Sequence, residues 1–197
     1  MNYPTKVKIE NEEYPINTDF RIAIECDQIA RDLSISDFER ALAIIYKLYG
    51  EKGLNAKNHY EKLLELAQKY LSCGKEVTDS TKVEEPDMDF VQDMDYIEAS
   101  FMSDYNIDLS NTQMHWWKFF NLICGLSNSE LGNCCVLNRI RNLRNYDTAQ
   151  IKDAKERQKI EEAKRQVALK KKKKPLSKEQ EESRDRFNKL AGISRKE

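Results

Sequence analysis

The chain has 197 residues, of which 40% are apolar and 34% charged, and its mean hydropathy of -0.78 is low for a compact domain. That length supports one modest core with residues to spare, and the composition predicts that part of the chain stays outside it. No run approaches the roughly 18 to 20 apolar residues of a spanning helix, and Met1 to Lys6 lead into no apolar signal run, so a cytosolic protein without a membrane partner is expected.

The net charge of -1 conceals two opposed halves. Residues 1–147 carry 16 Lys and Arg against 25 Asp and Glu, whereas residues 148–197 carry 17 against 9. An acidic body with a basic arm is a reason to look for a partner. The five cysteines (Cys26, Cys73, Cys124, Cys134, Cys135) are odd in number and lack framework spacing, which suits reduced thiols acting as small buried apolar groups. There is no Cys-x-x-Cys and only two histidines, His59 and His115. A zinc site would have to use Cys124, Cys134, Cys135 and His115, and core packing accounts for them better, so no metal is expected.

In chain order, Val7 to Glu10 and Tyr14 to Ile16 alternate around the polar Asn11-Glu12-Glu13 and predict a hairpin, with Pro15 on an edge strand. Thr18 or Asp19 caps a helix whose apolar face is Ile22, Cys26, Ile29, Ala30 and Leu33. Ser36 and Glu39 form a capping box for Phe38, Ala41, Leu42, Ile45, Leu48 and Tyr49, a helix expected to stop at Gly50. After a turn at Gly53, Tyr60, Leu63, Leu64, Ala67, Tyr70 and Leu71 repeat the pattern up to Gly74. Residues 75–89 read as an acidic surface linker. From Glu76 to Asp108 there are 11 acidic residues against the single Lys82, and Phe90, Met94, Ile97, Phe101 and Tyr105 make one face of a helix whose other face is acidic and solvated. Ser110 and Gln113 predict a cap for Met114 to Ile123, a helix apolar nearly all round and therefore central. Ser127 and Glu130 box a last core helix with Cys134, Val136, Leu137, Ile140 and Leu143. Asp147 and Gln150 then cap a charged helix laced by Lys152/Glu156, Asp153/Arg157 and Glu161/Arg165, broken by Lys170 to Lys174 and Pro175, with one more short helix over residues 177–189.

Chemistry is sparse. There is no phosphate loop, no metalloprotease or nucleophile-elbow motif, and only six glycines, so neither an enzyme nor a cofactor is expected. Asp87-x-Asp89 and Asp93-x-Asp95 lack the Gly and final Glu of a calcium loop and read as solvated charge. Lys170, Lys171, Lys172, Lys173 and Lys174, with Arg157 and Arg165 nearby, form a basic arm for partner binding, and Arg139, Arg141 and Arg144 add a second cluster. Interleaved acids and a single aromatic, Phe187, limit any nucleic-acid binding to weak and nonspecific. Docking on acidic protein surface, including the acidic face of a second copy, explains the two halves equally well.

Tyr14-Pro15-Ile16-Asn17-Thr18-Asp19-Phe20-Arg21, Ile97 to Phe101 with Tyr105 to Leu109, and Met114-His115-Trp116-Trp117-Lys118-Phe119 together resemble the gene-product-fifteen family of phages and prophages of Gram-positive bacteria. The Trp-Trp block is the specific part, and the resemblance covers residues 7–146. It makes Tyr14, Pro15, Phe101, Tyr105, Met114, His115, Trp116, Trp117 and Phe119 family-signature residues, with both tryptophans read as core. It implies a tail-assembly chaperone of the host cytoplasm that binds the tape measure protein, helps recruit tail-tube subunits and leaves before the virion is finished. The alternative is a small nucleic-acid-associated phage accessory protein using its basic arm. The fold expected is mainly α: a compact domain of about six helices with a short N-terminal β-hairpin over residues 1–146, and a charged, partly helical arm over residues 147–197 that is dispensable for folding.

Overall fold

The computed structural model describes residues 3–75, 86–128 and 134–170. It is mainly α-helical, with one antiparallel hairpin and seven α-helices among the described residues. Strands β1 (Lys6–Ile9) and β2 (Glu12–Pro15) pair in the register Lys6↔Pro15 to Ile9↔Glu12, so one face carries Ile9 and Tyr14 inward. A two-stranded sheet is marginal alone. Here Ile16 N–H extends the ladder to the Thr5 carbonyl at 2.8 Å, and Asn17 N–H anchors the hairpin on the helices through the Leu48 carbonyl at 2.7 Å.

Helix α1 (Phe20–Ala30) is capped by Asp19, whose carboxylate accepts from Arg21 N–H. Helix α2 (Asp37–Asn55) opens on the Ser36/Glu39 capping box that its sequence announces. Its regular run ends at Gly50, where the apolar stripe predicts a stop. That residue adopts φ +64°, a left-handed conformation suited to glycine, and kinks the helix, which resumes through Gly53 to Asn55. Helix α3 (Tyr60–Leu71) ends in a Schellman turn: Gly74 N–H reaches the Lys69 carbonyl and Cys73 N–H the Tyr70 carbonyl. The left-handed residue of that turn is Cys73, one position before the glycine expected to end the helix, and Gly74 is itself at φ +74°. A Cβ on Gly74 would lie 3.2 Å from the Trp117 ring, so the site tolerates little else.

Helix α4 (Met94–Tyr105) starts one turn after Phe90 and finishes on left-handed Asn106. Helix α5 (Trp116–Cys124) is capped by His115 and not by Ser110, because residues 109–111 form a turn and the chain then runs without helix to the bridge of His115 with Asp19 at the start of α1. Helix α6 (Val136–Asn145) begins on a Cys135 thiol cap, 3.4 Å from Asn138 N–H, several residues after the expected Ser127. After a 3-10 turn at Thr148–Gln150, Asp153 caps α7 (Ala154–Val167), so the cap expected at Asp147 serves only the turn. Of the ion pairs expected along α7, none at i, i+4 forms; Arg165 instead meets Glu162.

Helices α1, α2 and α3 pack consecutively, α4, α6 and α7 form a second layer, and α5 joins them through its aromatic face. Phe119 is the hub, stacked on Phe20 at 4.3 Å and on Phe101 at 5.3 Å, with all three fully buried or nearly so. The α5 helix is not buried all round: Trp116 is in the core, Trp117 and Phe120 are half-buried, and Lys118, Asn121 and Cys124 face solvent. Cysteines likewise divide, with Cys26 and Cys135 buried and Cys124 exposed.

Candidate partner-binding surfaces

The signature residues converge on one seam. Phe20 N–H donates to the Met114 carbonyl at 3.0 Å and Trp116 N–H to the Thr18 carbonyl at 2.8 Å, so the amino ends of α1 and α5 lie side by side as a short antiparallel bridge. His115 Nδ1 accepts from Trp117 N–H at 3.0 Å, which leaves the hydrogen on Nε2 to donate to the Pro4 carbonyl at 2.9 Å. One neutral imidazole therefore caps α5 and ties down the chain entering β1. The adjacent indoles donate to the end of α3: Trp116 Nε1 to the Leu71 carbonyl and Trp117 Nε1 to the Tyr70 carbonyl, at 3.0 and 2.9 Å. The Leu71 carbonyl is one of those a helix leaves without an intrahelical partner, and the Tyr70 carbonyl already accepts from Cys73 N–H. The two indoles thus finish the carboxyl end of α3 while their rings pack against Tyr70, Phe90 and Phe120.

Tyr14, also of the signature, donates its hydroxyl to Glu12 at 2.6 Å and lies 2.9 Å from His59 Nδ1. The hydrogen bond to the Glu12 carboxylate, with burial second, pushes the phenol up to about 12, so it stays protonated and structural. Pro15 is exposed on β2 opposite Lys6. Phe101 is in the core and Tyr105 donates to the Leu122 carbonyl at 2.9 Å, with its hydroxyl against Gly125. The nine signature residues are therefore largely framework.

A second cluster is absent from the sequence reading. Asp93, expected as solvated charge, is completely buried, and Arg144 binds it with two nitrogens at 2.7 and 2.8 Å. The same guanidinium donates to the Asp87 carbonyl (2.8 Å) and the Val167 carbonyl (2.7 Å), using four of its five hydrogens. The Asp93 hydrogen bonds push its pKa still higher. Arg141 pairs with the Asp87 carboxylate at 3.0 Å. The arginine cluster expected to bind phosphates therefore keeps only Arg139 available, and the described end of the acidic linker, residues 86–89, is docked on α6.

The root of the basic arm is held at the same place. Gln92 clasps the backbone of Lys170 from both sides, accepting from its N–H at 2.7 Å and donating to its carbonyl at 3.2 Å, while Lys164 donates to the Tyr146 carbonyl. A groove of about 640 Å³ opens there, lined by Arg31, Asp89, Gln92, Lys164, Arg165 and Leu169 among others. Arg157 and Arg165 are exposed on α7 and do not come together; Lys171, Lys172, Lys173 and Lys174, and the helix expected over residues 177–189, lie outside the described residues.

Exposed apolar groups gather elsewhere. Phe38 (65% exposed), half-buried Leu42 and Tyr46 (50%) recur every four residues on α2 and lie along one flank, with Leu33 (51%) at the turn before it. Among the described residues no three His, Cys, Asp or Glu are placed to share a metal ion, and no helix is long and apolar enough to cross a membrane.

Comparison with known proteins adds one match. No curated protein and no solved structure matches the chain. A family model described as Bacteriophage Gp15 protein matches residues 2–169, a span that takes in the hairpin, the His-Trp-Trp seam, the Asp93–Arg144 cluster and α7. By that match, over most of its length, the chain belongs to the Bacteriophage Gp15 protein family.

Proposed function

We propose that the chain is a non-enzymatic tail-assembly chaperone: in the host cytoplasm it holds helical segments of the tape measure protein, helps recruit tail-tube subunits, and leaves before the virion is complete. The observation that carries this reading is the α2 flank. Phe38, Leu42 and Tyr46 present a row of aromatic and aliphatic side chains at helical spacing, two of them half exposed or more, which suits the apolar face of another helix. Isolated exposed apolar residues need no explanation, whereas a row with Leu33 beside it is a recognition surface. A long helical partner with no core of its own has an apolar stripe to protect until assembly, and a small helical body supplies a complementary face without chemistry.

The test is co-expression with the tape measure protein encoded in the same phage. Retention on a pull-down and increased tape-measure solubility are expected for the full chain, and loss of both for Phe38→Ala/Tyr46→Ala with an unchanged melting temperature. No retention of the wild type ends the proposal. Reading the chain as a nucleic-acid accessory has in its favour the cations of α7; that reading requires DNA retardation at low salt, lost on converting Lys170 to Lys174 to Gln.

A further inference from the structure

We infer that this chain associates with a second copy of itself, head to tail, through the outer face of α4 in one copy and the first two turns of α7 in the other. Residues 86–108 contain seven acidic residues and no basic one. Two of them, Asp95 and Glu98, stand exposed on α4 beside Met102 (46% exposed), with Val91 (48%) one turn before the helix. Asp87 and Asp93 are already paired; Asp95 and Glu98 have neither an ion pair nor a side-chain hydrogen bond among the described residues. The matching cations are Lys155 and Lys159, exposed on one side of α7 and without an ion pair among the described residues, with the inward seam of Ile160, Ala163 and Val167 further along.

Within one chain these two faces cannot meet. Helix α6 packs on both α4 and α7. The side of α4 that receives α6 carries Ser100, whose hydroxyl accepts from Leu137 N–H at 3.0 Å. At about 100° per residue, Asp95 and Glu98 project roughly 140–160° away from it. Among the described residues no cation of the same chain faces Asp95 and Glu98, and a second copy supplies the complement in Lys155 and Lys159. Spacing agrees: Asp95 and Glu98 are separated by about 4.5 Å along their axis and Lys155 and Lys159 by about 6 Å, within reach of lysine side chains, whose aliphatic stems can cover Met102 and Val91. The contact joins two different surfaces, so in a dimer one copy keeps its α7 face free and the other its α4 face, and chains longer than two follow at high concentration. A 12-residue helix face about 18 Å long is small for an interface, so association is weak and steeply salt-dependent.

Sedimentation of the full chain tests this, and its outcome does not depend on the tail-assembly reading. At about 20 mM salt the mass is expected to rise with concentration above the 23.1 kDa monomer, and to return to it at about 0.5 M. Asp95→Lys/Glu98→Lys and Lys155→Glu/Lys159→Glu are each expected to stay monomeric, while their equimolar mixture associates again, because the wild-type α7 face of the first meets the wild-type α4 face of the second. Asp95→Asn/Glu98→Asn serves if a reversal fails to fold. A wild type monomeric at every concentration in low salt, self-association retained in either variant, or a monomeric mixture would each overturn the inference.

Discussion

Replacing Arg144 by Met removes one side chain and leaves three groups to find new partners. Asp93 has no exposed surface and loses two charge-assisted hydrogen bonds, and the Asp87 and Val167 carbonyls lose their donor. What remains to Asp93 is the Asp89 N–H at 3.0 Å. Breaking a buried pair from one side costs about 3–5 kcal/mol, because an uncompensated charge stays in the interior. For a chain of this size each kcal/mol moves the melting temperature by about 2–4 °C, so a loss of roughly 6–20 °C is expected by circular dichroism. Limited proteolysis is expected to cut first near residues 86–93 and 167–170, the two segments the guanidinium joins. Changing both partners, Asp93→Leu/Arg144→Met, removes the stranded charge and should recover a large part of the loss, leaving about 1–2 kcal/mol for the orphaned backbone groups. A cost below about 1 kcal/mol for Arg144→Met, the range of exposed pairs, would refute the reasoning, since it would mean that water reaches Asp93.

Four further outcomes are expected. Truncation after Asp147 removes the Val167 acceptor of Arg144 and the backbone clasped by Gln92, so it should lower urea stability by about 1–2 kcal/mol, whereas truncation after Lys170 leaves the urea midpoint unchanged. His115→Ala loses both the α5 cap and the Pro4 tie and should cost about 1–3 kcal/mol, with His115→Asp recovering the capping share; equal losses in the two variants would dispose of the capping role. Tyr70→Phe should leave stability unchanged or raise it by up to about 1 kcal/mol, because the buried Tyr70 hydroxyl has no hydrogen-bond partner among the described residues. Thiol modification of the native chain near pH 8 should label exposed Cys124 first and Cys26 only on unfolding, burial having pushed the Cys26 thiol up to about 12 and the Cys73 thiol up to about 11; early labelling of Cys26, mapped by mass spectrometry, would contradict the fold around α1.

Helix identity was legible because it depends on local periodicity: the α2 stripe and the Ser36/Glu39 box are complete within a few residues. Helix starts at α5 and α6 were not, since His115 and Cys135 are uncommon caps and each is selected by what it meets. His115 is fixed by Pro4, 111 positions away, and nothing near His115 in sequence marks that contact. The acidic region misled for the same reason. Asp93 and Asp95 look alike in sequence, yet one is buried against Arg144, 51 positions later, and the other stands in water. Charge runs report a solvated surface only where no distant counter-ion claims a member. The tryptophans were read as bulk for the core; their nitrogens, which finish α3, are a role that burial patterns cannot express.

The bridge between Asp19 and His115 sets an order of events during synthesis. Asp19 and His115 are 96 positions apart, and at about 5–20 residues per second a ribosome takes roughly 5–20 s to cover that interval. Throughout it, Phe20 N–H has no Met114 carbonyl and the last turn of α3 has no indole N–H to donate to its carbonyls. The first three helices can form locally, but they wait with their α5-facing surface uncovered, and the amino terminus locks only when the His-Trp-Trp block arrives. For a protein whose proposed role is to shelter an unfinished helix, its own first half spends its earliest seconds in that condition.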